Sequence, residues 1–160
     1  MLPRNRLLAL VAALVVAVSA APAALAGQRQ SGLAQSERSL LQAVNAARAA
    51  NGLRPLRLDA RLEAAARSWS ASLRRANAFT HGDFPSRMRA FRIPGLAGEN
   101  LAWGSGPYTA ASAVVAMWLA SAGHRANLLN PQYRWIGIGV ARGTFQGQSG
   151  AAVVTADFAG

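Results

Sequence analysis

Between Trp135 and Arg142 the chain reads Trp-Ile-Gly-Ile-Gly-Val-Ala-Arg, and this octet restricts the fold more than any other stretch of its 160 residues. Alternation with period two predicts a strand. Ile136, Ile138 and Val140 fall on one face, while Gly137, Gly139 and Ala141 fall on the other. A strand with one face stripped of side chains is weak by itself, but it lets a helix backbone lie directly against it. A second apolar run, Ala151 to Phe158, follows a Gly- and Gln-rich loop and completes an antiparallel hairpin.

The helices come earlier in the chain. Leu40, Leu41, Val44, Ala47 and Arg48 keep a helical period, with Ser36 as expected N-cap and Gly52 as the stop. Leu53 to Leu58 holds Pro55 and reads as a connector. Asp59 then caps a second helix whose apolar face is Leu62, Ala65, Ala66, Trp69 and Leu73, and which ends near Asn77. Residues 79–98 are irregular, with one turn of helix expected after Pro85. Glu99 to Trp103 is extended. Thr109 is the expected cap of a third helix that turns Val114, Val115, Met117 and Trp118 inward and stops at Gly123. Helices first, then a mostly antiparallel sheet with a helix laid on it, give an α+β chain, a three-layer α-β-α sandwich.

The amino terminus reads as an export signal. Arg4 and Arg6 precede the apolar run Leu7 to Val18, and Ala24-Leu25-Ala26 is a small-x-small cleavage pattern, so residues 1–26 are expected to be removed. The competing expectation is a retained membrane anchor, because residues 7–26 only just reach the roughly 20 apolar residues that a span needs. Residues 27–35 are expected to form a flexible lead-in and residues 36–160 the folded domain, with no transmembrane segment after cleavage.

Composition removes several functions. There is no cysteine, so disulfides, thiolate metal sites and a cysteine nucleophile are excluded. All 17 basic residues are arginine, and cleavage leaves 15 of them against 6 acids. That surplus suits an anionic envelope surface. Scattered arginines without an aromatic-interleaved basic run argue against nucleic acid.

Two histidines, His81 and His124, carry whatever imidazole chemistry the chain has. Together with Glu99 they make two neutral nitrogens and a carboxylate, the ligand count of a catalytic zinc site with an open fourth position. Their separations of 18 and 25 residues leave convergence to the fold. Ser121, three residues before His124 at the expected end of one helix, is the nucleophile candidate beside an imidazole. No G-x-S-x-G elbow supports it. Arg125 is the cation best placed to meet an anionic ligand there. Phe84, Arg87, Asn100 and Asn127 read as scaffold: a core plug, a partner for Glu99 or for an adjacent carbonyl, and two amides tying loop backbones. Trp69, Trp118 and Trp135 read as packing between layers, with Trp103, beside a Gly-Ser-Gly turn, as the exception to test.

Four local segments bring a family into view. His81 to Arg87 is H-x-x-F-x-x-R, Gly98 to Ala102 is GENLA, Trp118 to Asn127 is W-x-x-S-x-G-H-R-x-N, and Ile136 to Ala141 follows. In this order they resemble the CAP superfamily, the cysteine-rich secretory protein, antigen 5 and pathogenesis-related 1 group (also called SCP or SCP/TAPS), in its cysteine-free bacterial form, from about Glu37 to Phe158. The resemblance implies an α-β-α sandwich with a central His and Glu cleft, built here from His81, Glu99 and His124. The second family glutamate would fall near Ser121, where this sequence departs. The resemblance also implies a secreted protein whose cleft binds a divalent metal such as zinc or a small ligand, with lipid as a further class of partner. It assigns no catalytic residue; the candidates are His81, Glu99, His124 and Ser121, and the alternative function is a hydrolase of peptide or cell-wall polymer using His81, Glu99 and His124 as general base.

Overall fold

The computed structural model describes the backbone from Ala21 and the side chains from Gln35 onward. The expected signal therefore lies mostly outside the described residues. Helix α1 spans Ala21–Ala50. The segment expected as a lead-in falls within its bounds, so Ser36 is an interior helical residue and not its cap. The helix stops where expected: Gly52 N–H bonds Ala49 O at 3.0 Å and Leu53 N–H bonds Arg48 O at 3.0 Å, the paired bonds of a Schellman close.

Strand β1, Arg57–Leu58, interrupts the expected connector and pairs parallel with Trp135 and Ile136. Asp59 caps α2, Ala60–Ala76, by accepting from the Arg61 and Leu62 amides, and Asn77 closes it in the left-handed region. Helix α3, Phe84–Ala90, is capped by Asp83, whose side chain takes the Ser86 amide, and exceeds the single turn expected. Strand β2, Ala97–Gly104, is followed by a 3₁₀ turn at Gly106–Thr109. The Thr109 hydroxyl bonds back to Gly106 O at 2.9 Å and does not cap the next helix, because the 3₁₀ turn has already claimed it.

Helix α4, Ala111–Ala120, ends three residues before Gly123. At Ser121 the backbone opens to φ −103°, ψ 123°, and a new helix, α5, Ala122–Leu128, begins. Gly123 is thus inside α5, and Ser121 and His124 do not share one helix. Strands β3, Trp135–Phe145, and β4, Gln148–Ala159, form the hairpin. The sheet order is β1-β3-β4-β2, antiparallel except at β1.

Burial divides by face. On one side Ile136, Ile138, Val140, Val154, Ala156, Phe158 and Ala102 pack against Leu40 and Val44 of α1 and Val114, Val115 and Trp118 of α4. On the other side lie Gly137, Gly139, Thr155, Asp157 and Glu99, and there α2 sits on the glycines. A Cβ at Gly137 would stand 1.9 Å from the Leu62 carbonyl carbon, and one at Gly139 would stand 2.3 Å from that of Ala66. Ser70 of α2 reaches through to Gly139 O at 2.9 Å and Thr155 Oγ1 at 2.8 Å. The result is the α-β-α sandwich the glycine alternation requires. Two inward expectations fail. Met117 is 37% exposed and Trp135 is 40% exposed beside Arg57. No helix among the described residues is long and apolar enough to cross a membrane.

Candidate functional site

The site lies along β2, the outer strand of the sheet, where side chains alternate between the two layers. Glu99 points to the α2 and α3 side, and Asn100 to the α4 and α5 side. Gly98 precedes them because nothing larger fits: a Cβ there would lie 2.3 Å from the Tyr133 hydroxyl and 2.7 Å from Asn127 Oδ1. The edge carbonyls of β2 are covered by side chains, Glu99 O by Asn127 Nδ2 at 3.0 Å and Leu101 O by Trp118 Nε1 at 3.0 Å. Asn100 Nδ2 in turn holds His124 O at 2.9 Å, and Asn127 Nδ2 also reaches Asn100 Oδ1 at 3.1 Å. Asn100, Trp118 and Asn127 are therefore the wiring that ties α5, and with it His124, to the strand carrying Glu99.

From the other layer comes His81, on the connector between α2 and α3. Its Nδ1 lies 2.6 Å from Glu99 Oε1. The second Glu99 oxygen is taken by the Arg87 guanidinium, which also donates to His81 O at 3.2 Å. A carboxylate held by a guanidinium accepts and does not donate, so Nδ1 carries the proton of this contact. Glu99 is sealed while the His81 side chain is 55% exposed, so the carboxylate orients the ring from beneath. Arg87 is held by aromatic faces: its guanidinium carbon is 4.2 Å from the Trp69 ring centre and 5.3 Å from that of Phe84. The segment H-x-x-F-x-x-R thus reads as oriented imidazole, cushion and clamp. Phe84 itself is half-buried and packs against the core cluster of Leu62, Ala65, Met88, Ile93 and Ala159.

Asp157 was not legible as a site residue. It stands directly opposite Glu99 in the β2–β4 register, with no exposure, and its Oδ1 lies 3.9 Å from Arg87. Neither oxygen meets a donor with hydrogen-bond geometry among the described residues. Burial, then the adjacent Glu99 charge, push its carboxyl up to about 8 against the pull of Arg87. The only sequence signal is a lone acid in the otherwise uncharged run Ala151 to Phe158.

His124 occupies the first turn of α5. Burial, and secondarily the nearby His81, hold its imidazole below the ordinary histidine value, so it is neutral at neutral pH. The structure thus brings His81 and Glu99 into contact and sets His124 within electrostatic reach of His81. Arg125 is exposed. Ser121 lies at the break between α4 and α5, and its hydroxyl bonds neither imidazole. The three-ligand metal set does not fit this arrangement, because both Glu99 oxygens are engaged. Among the described residues no group of three or more His, Asp or Glu is placed to hold a metal ion.

The chain as a whole is similar to known proteins. The sequence is 37% identical over 109 residues to YkwD of Bacillus subtilis (strain 168), covering 64% of this chain and 41% of that protein. An extracellular protein containing an SCP domain from Bacillus anthracis str. Ames superposes with a TM-score of 0.67 at 26% identity, covering 79% of this chain and 40% of that one. An outer surface protein from Borrelia burgdorferi superposes with a TM-score of 0.64 at 24% identity over 78% of this chain and 91% of that one, a likeness of fold. The chain spans about two fifths of the length of the two Bacillus proteins. The profile of the cysteine-rich secretory protein (CAP) family matches residues 41–158. With that match over most of its length, the chain belongs to the CAP family.

Proposed function

We propose that the protein is an exported CAP-domain binding module whose cleft takes a small polar ligand between the imidazoles of His81 and His124. The observation that carries this reading is the 2.6 Å contact of His81 Nδ1 with a sealed Glu99, which orients the ring and leaves Nε2 without a hydrogen bond among the described residues at a half-open surface. With its Nδ1 turned to Glu99, His81 has Nε2 left for a ligand, and the neutral His124 ring adds one donor and one acceptor, which suits a hydroxyl or amide. Export is supported by the signal-like first 26 residues and by relatives described as extracellular or outer-surface proteins. A divalent cation such as zinc would find two imidazoles and no free carboxylate, so no role is derived through it.

Calorimetric titration at pH 7.5 with glycerol, N-acetylglycinamide and, separately, zinc tests the reading. Saturable heat with the diol or the amide that the His81→Ala, His124→Ala double variant lacks is the expected result. Identical behaviour of the two proteins toward both polar probes contradicts it, and zinc heat confined to the wild type assigns the cleft to a metal instead.

The same His81–Glu99 pair favours a second reading, general-base hydrolysis of peptide or cell-wall polymer, since an oriented imidazole is what proton abstraction from water needs. Under that reading His81→Ala abolishes turnover while the fold persists. Ser121 has no part in it, lacking the imidazole contact that would activate it.

A further inference from the structure

His124 also lines a cavity of about 320 Å³ whose walls include Phe79, Trp103, Met117, Trp118 and Ser121. No charged side chain lines it. Phe79 and Met117 are 44% and 37% exposed, yet they come from different elements and face the same space. Scattered apolar residues on a surface need no explanation, but a concave cluster of them is a binding feature. The walls are fixed by their own packing. Trp118 is anchored to Leu101 O, Trp103 meets Phe145 edge-on at 5.3 Å between ring centres, and Phe79 meets the same ring at 6.4 Å. The cavity therefore exists before anything enters it.

One end is polar. The break between α4 and α5 brings Ser121 and His124 to the same cavity, and neither the Ser121 hydroxyl nor the His124 ring has a hydrogen-bond partner among the described residues. We propose that this cavity is an apolar subsite of the cleft, taking the ring system or short alkyl group of a small uncharged amphipathic ligand whose hydroxyl or amide is held by Ser121 and His124. The inference rests on the reading of the cleft as a ligand site and names the class of ligand. Size sets the apolar part: the space is roughly twice the ~150 Å³ of a cavity that binds benzene, room for two fused rings. The polar groups set the head. A hydroxyl and a neutral imidazole can each donate and accept, which matches a group that does both and leaves a carboxylate without a countercharge inside the cavity.

The test is a titration of the full chain with 2-naphthol at pH 7.5, followed by calorimetry and amide chemical shifts. Saturable one-site binding with shifts at Met117, Ser121 and His124 is expected. Met117→Glu, a change at an exposed position, should weaken binding at least tenfold, and Phe79→Gln should do the same. Ser121→Ala should weaken it by roughly twofold to tenfold, the worth of one hydrogen bond. Naphthalene-2-carboxylate should bind at least fivefold more weakly than 2-naphthol. Absence of binding, shifts elsewhere, wild-type affinity in Met117→Glu and Phe79→Gln, wild-type affinity in Ser121→Ala, or equal binding of the carboxylate overturns the proposal. Failure of 2-naphthol alone leaves the diol and amide results, and so the cleft, untouched; failure of those probes with 2-naphthol bound as described removes the two-imidazole reading and keeps the subsite.

Discussion

Arg87 is the residue on which the local electrostatics turn. One guanidinium faces two buried acids, Glu99 in contact and Asp157 at 3.9 Å, and two aromatic faces hold it there. Removing it leaves buried carboxyls with no cation, a loss that costs about 3–5 kcal/mol when one partner of a buried pair is deleted. Arg87→Ala should therefore lower the unfolding free energy by about 3 kcal/mol in urea melts at pH 7, and Arg87→Lys should recover only part, because an ammonium neither forks onto Glu99 nor stacks on Trp69. Asp157 makes an opposite contribution. Its carboxyl, raised to about 8 in the fold against 3.8 when free, binds a proton in the native state that the unfolded chain releases. Stability contributed by the protonated form is thus lost as pH rises from about 4 to about 8. Thermal midpoints of Asp157→Asn, which mimics the protonated acid, should fall less across that interval than those of the wild type; parallel curves would show that Asp157 ionises normally. Neither the Glu99–Asp157 pairing nor its consequence could be read from sequence, since it depends on the β2–β4 register. The expectation that Arg87 pairs with Glu99 needed only an acid and a base flanking one segment, and the two side chains are in contact.

At the scale of elements, the glycines of β3 do what their alternation requires. Because helix α2 backbone occupies the space of the missing Cβ atoms, Gly137→Ala or Gly139→Ala must push α2 away from the sheet. Each should destabilise by about 3 kcal/mol or more, at or above the upper range for overpacking, as read from urea midpoints. A surface alanine substitution such as Gly123→Ala, whose Cβ would meet nothing within 4 Å, serves as the control and should change stability little. The same elements show where periodicity stops informing. Helix α4, Ala111–Ala120, is apolar nearly all round, so its pattern has no polar face to say that Met117 turns outward. Gly123 reads as a stop, yet the stop is two residues earlier, where Ser121 adopts an extended backbone and starts a second helix. Thr109 reads as a cap, but a 3₁₀ turn intervenes. Each miss is a local break whose cause is tertiary: α5 must turn back to bring Asn127 to Glu99 O and His124 to Asn100.

For the whole molecule, the layers put one histidine on each side of the sheet edge. His81 arrives with the α2 and α3 layer and His124 with the α4 and α5 layer, and β2 supplies Glu99 to the first and Asn100 to the second. The fold class was legible because the strand glycines, the Asp59 cap and the helical faces agree with one another. The cleft was legible only as three residue types waiting for a fold to gather them. Its meeting point has an electrostatic signature. His124 is held below 6.5 first by burial and then by His81, so stability rises as pH climbs through the interval just below 6.5, where the unfolded chain binds the proton and the native state does not. The measurement that bears most directly on the convergence of the two imidazoles is the NMR titration of the His124 ring in the wild type and in His81→Ala. The expected result is a wild-type midpoint below 6.5 that moves upward when His81 is removed; a midpoint that stays where it was would mean that the two rings do not share a cleft.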